Sequence, residues 1–422
     1  MEALQNFLMK WLTPVASKIE RQKHLQAVKD GMIGVIPFIV IGSMCLLPTA
    51  IMNLIGSGPV YDALGVINPF FTKISSFTTD FISLYAAYLI ARSLAKRYKL
   101  DSLMAGLTAI VVQLILCGFS IEGGMGTSYI GSSGLFTSII TGLVSVEVTR
   151  FLVNHHVVIT LPDSVPPMVS ESFSSLLPIF FNAAIASVVS LLCTTFADGQ
   201  VFPALVMTVL APAISTMDTL PALLIVMFLT QLLWFFGLHG PSITSAVWTS
   251  FALTYAAENA ANYAAGLPVT HVFTFGFYYN VLSVCGSGLT LSLVLFMMFS
   301  KSETYKAIGR ASIVPSLFGI NEPVIFGAPI VMNPFMFIPF VFGPLVITVI
   351  AWFAFTGGLV GMPILNPPSF MPPGVGVYLM TLDWRAVILV FVLLIVMGLI
   401  YYPFFKVMER NQLAEESQGT TD

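Results

Sequence analysis

Charge is what this sequence has least of. Asp, Glu, Lys and Arg make up only 9% of its 422 residues, while 57% are hydrophobic. A soluble domain carries roughly a quarter charged residues, so so little charge excludes an ordinary soluble globular domain. Cysteine is also scarce. Cys45, Cys117, Cys193 and Cys285 lie far apart in apolar stretches without metal-ligand spacing. They read as small hydrophobes, and neither a metal nor a cofactor is expected. The net charge of −3 favours neither nucleic acid nor an acidic partner. The N-terminus lacks the form of a signal peptide. Its first apolar run begins only at Gly31, after 30 residues with several charges, and no small-residue cleavage site follows closely.

What the chain does have is long charge-free runs. They span Gly31–Tyr61, Ser102–Ile121, Thr127–Val146, Thr219–Ala257, Val272–Ser300 and Ala386–Phe405. Crossing a hydrocarbon core takes about 20 helical residues. An all-α, polytopic, multi-pass membrane protein follows, with membrane lipid as its surroundings. Five spans are expected in the first half, at 31–54, 76–95, 102–121, 130–152 and 173–196. Within Asn6 to Ile19, Phe7, Leu8, Trp11, Leu12 and Val15 share one helical face. Residues 1–30 therefore read as an interfacial amphipathic segment, or as an ordinary amphipathic packing helix.

Basic residues set the orientation. They cluster at Lys10, Lys18, Arg21, Lys23 and Lys29; at Arg92, Lys96, Arg97 and Lys99; at Lys301, Lys306 and Arg310; and at Lys406 and Arg410. Positive charge stays on the cytoplasmic side. Both termini are expected there, with an even number of spans.

The chain divides into a membrane scaffold at 31–197, a connector at 198–218, a second membrane half at 219–405 and a polar tail at 406–422, expected to be disordered. A turn is expected in LPDSVPPMVSESF (Leu161 to Phe173), where three prolines forbid a continuous helix. The connector carries a short apolar helix around 201–210. A span at 219–238 ends at WFFGLHGPS, and 243–270 reads as a hairpin that enters the membrane without crossing. A span at 272–300 contains Cys285–Gly–Ser–Gly288. Beyond it, Pro and Gly recur through a stretch too apolar for a surface loop. Irregular backbone at membrane depth survives where protein buries it or where it lines a wet cavity, and broken segments mark transporter sites.

Between Arg310 and Asp383 the only charge is Glu322, within FGINEPVIFGAPI. An ionisable group there is costly and functional by default. Pro323 pushes the residue before it out of the α region, which predicts a non-helical turn. Asn321 beside it supplies donor and acceptor together, a pair suited to sugar hydroxyls. The other reading is a carboxylate capping a helix. His239 is similarly isolated, either a hydrogen-bonded core histidine or, with Asn321 and Glu322, part of one polar site. Trp234 offers a flat face to a sugar ring or belongs to an interfacial belt. Gly286 and Gly288 could let the backbone approach a ligand closely, but small residues also serve helix packing, and packing is the expectation.

GINEPVIFGAPIVMNPFMFIPF, WFFGLHG, LPDSVPPMVSESF and GSGLTL resemble, in the same order and over nearly the whole chain, the membrane IIC component of the bacterial phosphoenolpyruvate-dependent sugar phosphotransferase system, lactose/cellobiose/diacetylchitobiose family. The resemblance implies about ten transmembrane helices, two re-entrant hairpins, an elevator-type transport half and a homodimer in the bacterial cytoplasmic membrane. It implies a sugar permease for a β-linked disaccharide or glycoside, phosphorylated at its 6-hydroxyl by a phosphocysteine on a separate IIB protein that is served by IIA. The membrane protein itself carries no phospho-acceptor. Glu322 and His239 would contact the reacting hydroxyl, and Asn321 and Trp234 would hold the ring. Ser369 stands where chitobiose-taking members have tryptophan, and Tyr279 where relatives often show an acidic residue, so the sugar is left open. The alternative is a secondary sugar transporter coupled to protons through Glu322.

Overall fold

The computed structural model describes Lys18 and residues 21–118, 128–162, 164–197, 199–328, 330–369 and 371–419. The amphipathic face at residues 7–15 lies outside these, as do Asp163 and Phe370. The described residues form helices joined by turns, with no strand. Six helical stretches among them are long and apolar enough to cross a membrane: Lys23–Thr49, Pro59–Tyr98, Ser132–Asn154, Ser172–Phe196, Pro334–Thr356 and Trp384–Ser417. A seventh is added if Phe202–Met217 and Leu220–Phe235, bent by 71°, count as one span.

The chain forms two compact units. One comprises Lys18–Ser215 with Thr249–Ala264. Its helices are α1 (Lys23–Met44), α2 (Leu47–Ile55), α3 (Pro59–Thr79), α4 (Ile82–Tyr98), α5 (Ser102–Gly118), α6 (Leu135–Asn154), α7 (Pro167–Ser174), α8 (Leu176–Phe196) and α9 (Phe202–Met217). Helix α4 packs against α1, α5 and α6. Small residues let them meet: Ala27, Ala87, Ala91, Ala95, Ala105 and Ala109 are buried together. A Cβ on Gly31 would lie 2.3 Å from Ile90. Apolar burial alone does not favour protein over lipid tails, so close backbone approach supplies the attraction. The turn expected over Leu161–Phe173 is corrected in its second part: from Pro167 the chain is helix α7, which proline can open because its missing N–H costs nothing there.

The other unit comprises Thr216–Trp248 and the described residues from Ala265 onward. Helix α10 (Leu220–Phe235) ends in a turn, and α11 (Gly240–Ala264) follows, its residues up to Trp248 belonging to this unit and those from Thr249 to the first. The expected hairpin at 243–270 is therefore corrected: residues 240–264 are one helix of 25 residues. No Gly or Pro interrupts the chain from Ser242 to Ala265, and its alanines favour helix.

The expected continuous span at 272–300 is broken. One turn of α-helix at Phe275–Phe277 runs into a π-helical turn at Tyr278–Leu282, then an irregular turn, then α12 (Leu291–Met298). Four residues in that turn have positive φ: Cys285 (60°), Gly286 (97°), Gly288 (88°) and Leu289 (50°). Next come α13 (Glu303–Leu317), α14 (Glu322–Gly327), α15 (Gly343–Thr356), α16 (Val375–Thr381) and α17 (Trp384–Gly419).

The tail expected to be disordered is also corrected. Helix α17 continues to Gly419. Past Phe405, Glu409 accepts hydrogen bonds from Ser300 Oγ at 2.6 Å and from the Lys301 N–H at 2.9 Å. Glu416 accepts from Ser302 Oγ at 2.6 Å and the Thr304 N–H at 3.2 Å. Both carboxylates meet the N-terminal end of α13, where unpaired N–H groups and the helix dipole favour negative charge. A polar composition thus acquires order from tertiary partners.

Candidate functional site

Helix α10 stops at Phe235 because Gly237, with φ of 76°, takes the left-handed conformation that ends helices. That turn delivers His239. Its Nδ1 accepts the Ser242 N–H at 3.1 Å. In the neutral ring the proton therefore sits on Nε2. Nε2 faces Glu322 Oε1 at 3.7 Å, and both side chains are nearly half exposed (49% and 44%).

Glu322 is not on the non-helical turn expected from Pro323. It opens the six-residue helix α14, with Asn321 as N-cap and proline in the first turn. Proline belongs there, since its fixed φ suits a helix start and its missing N–H is not needed. One Glu322 oxygen, Oε2, is buried without a hydrogen-bond partner among the described residues.

Asn321 is 3% exposed. Its Nδ2 donates to the Ser287 carbonyl at 2.6 Å and to Thr290 Oγ1 at 3.0 Å. The amide nitrogen is spent on the wall, which leaves Oδ1 for any further contact. The Gly286–Ser287–Gly288 turn makes this possible. A Cβ on Gly286 would sit 2.5 Å from Asn321 Cγ. Gly286 thus serves the close approach of Asn321 as well as packing.

Trp234 is 2% exposed, too buried in its unit for an interfacial-belt position. Its ring lies 4.5 Å from that of His239 and 6.2 Å from that of Phe326, centroid to centroid. Its Nε1 has no hydrogen-bond partner among the described residues. Ser369, half-buried, lines the same cleft with Met371 and Tyr279. The structure therefore brings Trp234, His239, Asn321, Glu322 and Ser369 to one cleft of about 120 Å³. Gln231, Ser283 and Ser287 do not stand out in the sequence. Ser283 and Ser287 also line the cleft, and Gln231 Nε2 donates to Ser287 Oγ at 2.9 Å. The signal for Gln231 was slight: one amide in the otherwise apolar run of α10.

Chemically, the cleft offers a donor at His239 Nε2, acceptors at Glu322 Oε1 and Asn321 Oδ1, and aromatic surface at Trp234 and Tyr279. No group of three or more metal-ligating side chains occurs among the described residues.

Comparisons with known proteins point one way. A family model described as "Phosphotransferase system, EIIC" matches residues 29–344. The chain is 33% identical to the cellobiose-specific EIIC component of Geobacillus stearothermophilus, covering 97% of this chain and 95% of that protein. It is 33% identical to the lactose-specific EIICB component of Streptococcus mutans, covering 96% of this chain and 72% of that longer protein. The crystal structure of ChbC, the IIC component of the N,N'-diacetylchitobiose-specific phosphotransferase system, superposes with a TM-score of 0.89 at 32% identity, covering 97% of this chain and 99% of the other. With that match across three quarters of its length and agreement in fold throughout, the chain belongs to the phosphotransferase system EIIC family.

Proposed function

We propose that the protein is a IIC sugar permease that binds a β-linked disaccharide or glycoside, carries it inward and presents its 6-hydroxyl to the phosphocysteine of a separate IIB protein. Relatives named for cellobiose, lactose and N,N'-diacetylchitobiose support that substrate class. The observation that carries the reading is the 3.7 Å between His239 Nε2 and Glu322 Oε1. That separation is too long for a direct hydrogen bond. A hydroxyl seated beside both atoms accepts from Nε2–H and donates to the carboxylate. Glu322 then takes its proton as the oxygen attacks phosphorus and the P–S bond breaks, releasing the IIB cysteine as thiolate, and His239 holds the oxygen. Asn321 Oδ1 and the Trp234 ring orient the sugar, and Ser369 helps set which sugar fits. Phosphoryl transfer asks mainly for positioning and electrostatics, which this cleft supplies without a phospho-acceptor of its own.

In this reading the protein lies in the bacterial cytoplasmic membrane with both termini inside. About ten transmembrane helices, with re-entrant hairpins elsewhere than 240–264, form a homodimer built through the first half, and the 219–405 half moves as an elevator. IIA and IIB act from separate chains. The test is uptake into vesicles with and without phosphoenolpyruvate and the soluble phosphotransferase proteins. Phosphorylated sugar that appears only with phosphoenolpyruvate is expected. Unmodified sugar accumulating with a proton gradient instead would replace this reading with a proton-coupled transporter.

A further inference from the structure

Gln231 is the residue the sugar chemistry leaves unexplained. It is fully buried in α10, and a buried amide in an apolar helix is costly unless it is bonded. Its Nε2 donates to Ser287 Oγ at 2.9 Å, while its Oε1 has no hydrogen-bond partner among the described residues. The cost is thus only half met, and the one bond made goes to the wall of the cleft.

That wall needs an anchor. Ser287 sits between Gly286 and Gly288, within four residues of positive φ. Glycine backbone is the most permissive in the chain, and Cys285 and Leu289 are held in a conformation unfavourable to side-chain-bearing residues. Surrounding contacts must hold such a turn in place. Tyr401 Oη donates to the Gly288 carbonyl at 2.8 Å, which fixes one end. Gln231 fixes the middle. The Ser287 carbonyl in turn accepts the Asn321 amide at 2.6 Å, and the next residue is Glu322.

We propose that Gln231 is a positioning residue: by holding Ser287 it fixes the Asn321 amide, and through it the place of the Glu322 carboxylate. This rests on the assignment of Glu322 to the sugar hydroxyl. Substrate binding uses the cleft as a whole, whereas proton transfer needs one carboxylate oxygen within hydrogen-bond reach. Losing the anchor therefore costs turnover more than affinity.

The experiment compares the wild type with Gln231→Met, which keeps the volume and removes the hydrogen bond, with Ser287→Ala, and with the double variant. Each is reconstituted with the soluble phosphotransferase proteins. Gln231→Met is expected to lower kcat about 10- to 100-fold, with KM changed less than about threefold on the scale of one lost neutral hydrogen bond. The double variant is expected to lose no more than the worse single one, because both act through one bond. A second readout does not depend on the reaction. With Cys45, Cys117 and Cys193 replaced by serine, Cys285, buried in the same turn, should react with a maleimide about fivefold faster in Gln231→Met, as follows from losing about 1 kcal/mol of anchoring. Unchanged turnover in Gln231→Met, or additive losses in the double variant, would overturn the proposal. If the wild type makes no phosphosugar, the functional reading fails instead. Cys285 labelling then decides the anchoring alone, with an unchanged rate refuting it.

Discussion

The Ser242 N–H donates to Nδ1 of His239 across 3.1 Å, and that bond assigns the ring its role. With Nδ1 occupied, the proton of the neutral imidazole lies on Nε2 and points across the cleft to Glu322. Glutamine places its amide near the position of Nε2, and asparagine places its oxygen near Nδ1. His239→Gln is therefore expected to keep more phosphorylating activity than His239→Asn, which should lose ~100-fold, the usual cost of one donor to reacting charge. Steady-state rates with purified soluble partners test this. The reverse order would mean that the Ser242 contact, and so local structure, is what His239 provides.

Glu322→Gln keeps shape and hydrogen bonding but loses the base. It is expected to retain weak sugar binding and to lose most phosphorylation, ~100- to 10,000-fold. Glu322→Ala should lose both. Sugar binding measured by calorimetry beside product formation separates the two effects. Near-normal phosphorylation by Glu322→Gln would eliminate the base role.

Ser369 lines the cleft from the irregular segment that follows α15. Replacing it with tryptophan adds a large stacking surface and removes room. Ser369→Trp should change the ranking of a panel of β-glycosides more than it changes the amount of protein in the membrane. An unchanged ranking would remove Ser369 from the site.

Two glycines separate backbone strain from contact. Gly266 has φ of 71° with open space around its Cβ position, whereas Gly286 has φ of 97° and Asn321 Cγ only 2.5 Å from that position. Gly266→Ala should cost about 1–2 kcal/mol from conformation alone. Gly286→Ala adds the displacement of Asn321, so it should lower the thermal midpoint further and abolish sugar phosphorylation. Equal effects of the two substitutions would show that the approach to Asn321 is unimportant.

Asp383 ties the irregular segment to the start of α17. Its carboxylate accepts the N–H of Gly361 at 2.8 Å and that of Arg385 at 2.9 Å, and pairs with the Arg385 guanidinium at 2.8 Å. Partial burial pushes its pKa up, but Arg385 and the two N–H groups outweigh that and hold it below the ordinary aspartate value. A depressed folded-state pKa means that the stabilisation is present above the unfolded value of about 3.9 and is lost as pH falls beneath it. The thermal midpoint should therefore lose this contribution only below about pH 4. Asp383→Asn should lower the midpoint at pH 7 and flatten that acid limb. A wild-type acid limb that survives in Asp383→Asn would assign it to other carboxylates.

Some of this was legible in the residues. Scarce charge and long apolar runs establish an all-helical membrane protein, because a hydrocarbon core admits no unpaired backbone and almost no charge. The solitary Glu322 and His239 stood out for the same reason, and the Asn321–Glu322–Pro323 context pointed to the family. Other features depend on partners far away in the chain. The sequence cannot display the 3.7 Å between His239 and Glu322, since 83 positions separate them and only packing closes that gap. Local rules placed Glu322 on a non-helical turn, whereas it opens a helix, because a proline that ends one helix begins another equally well. The tail after Phe405 has the composition of a disordered segment, yet Glu409 finds the Lys301 N–H just before α13 and Glu416 finds the Thr304 N–H in its first turn. Gln231 was silent in the sequence, because one amide in an apolar helix acquires meaning only from the atom it meets. Composition and local pattern decided the solvent, the fold class and the unusual residues. Tertiary structure decided which of those residues share a cleft and which atom of each is free to act, because hydrogen-bond partners are chosen by distance in space and not along the chain.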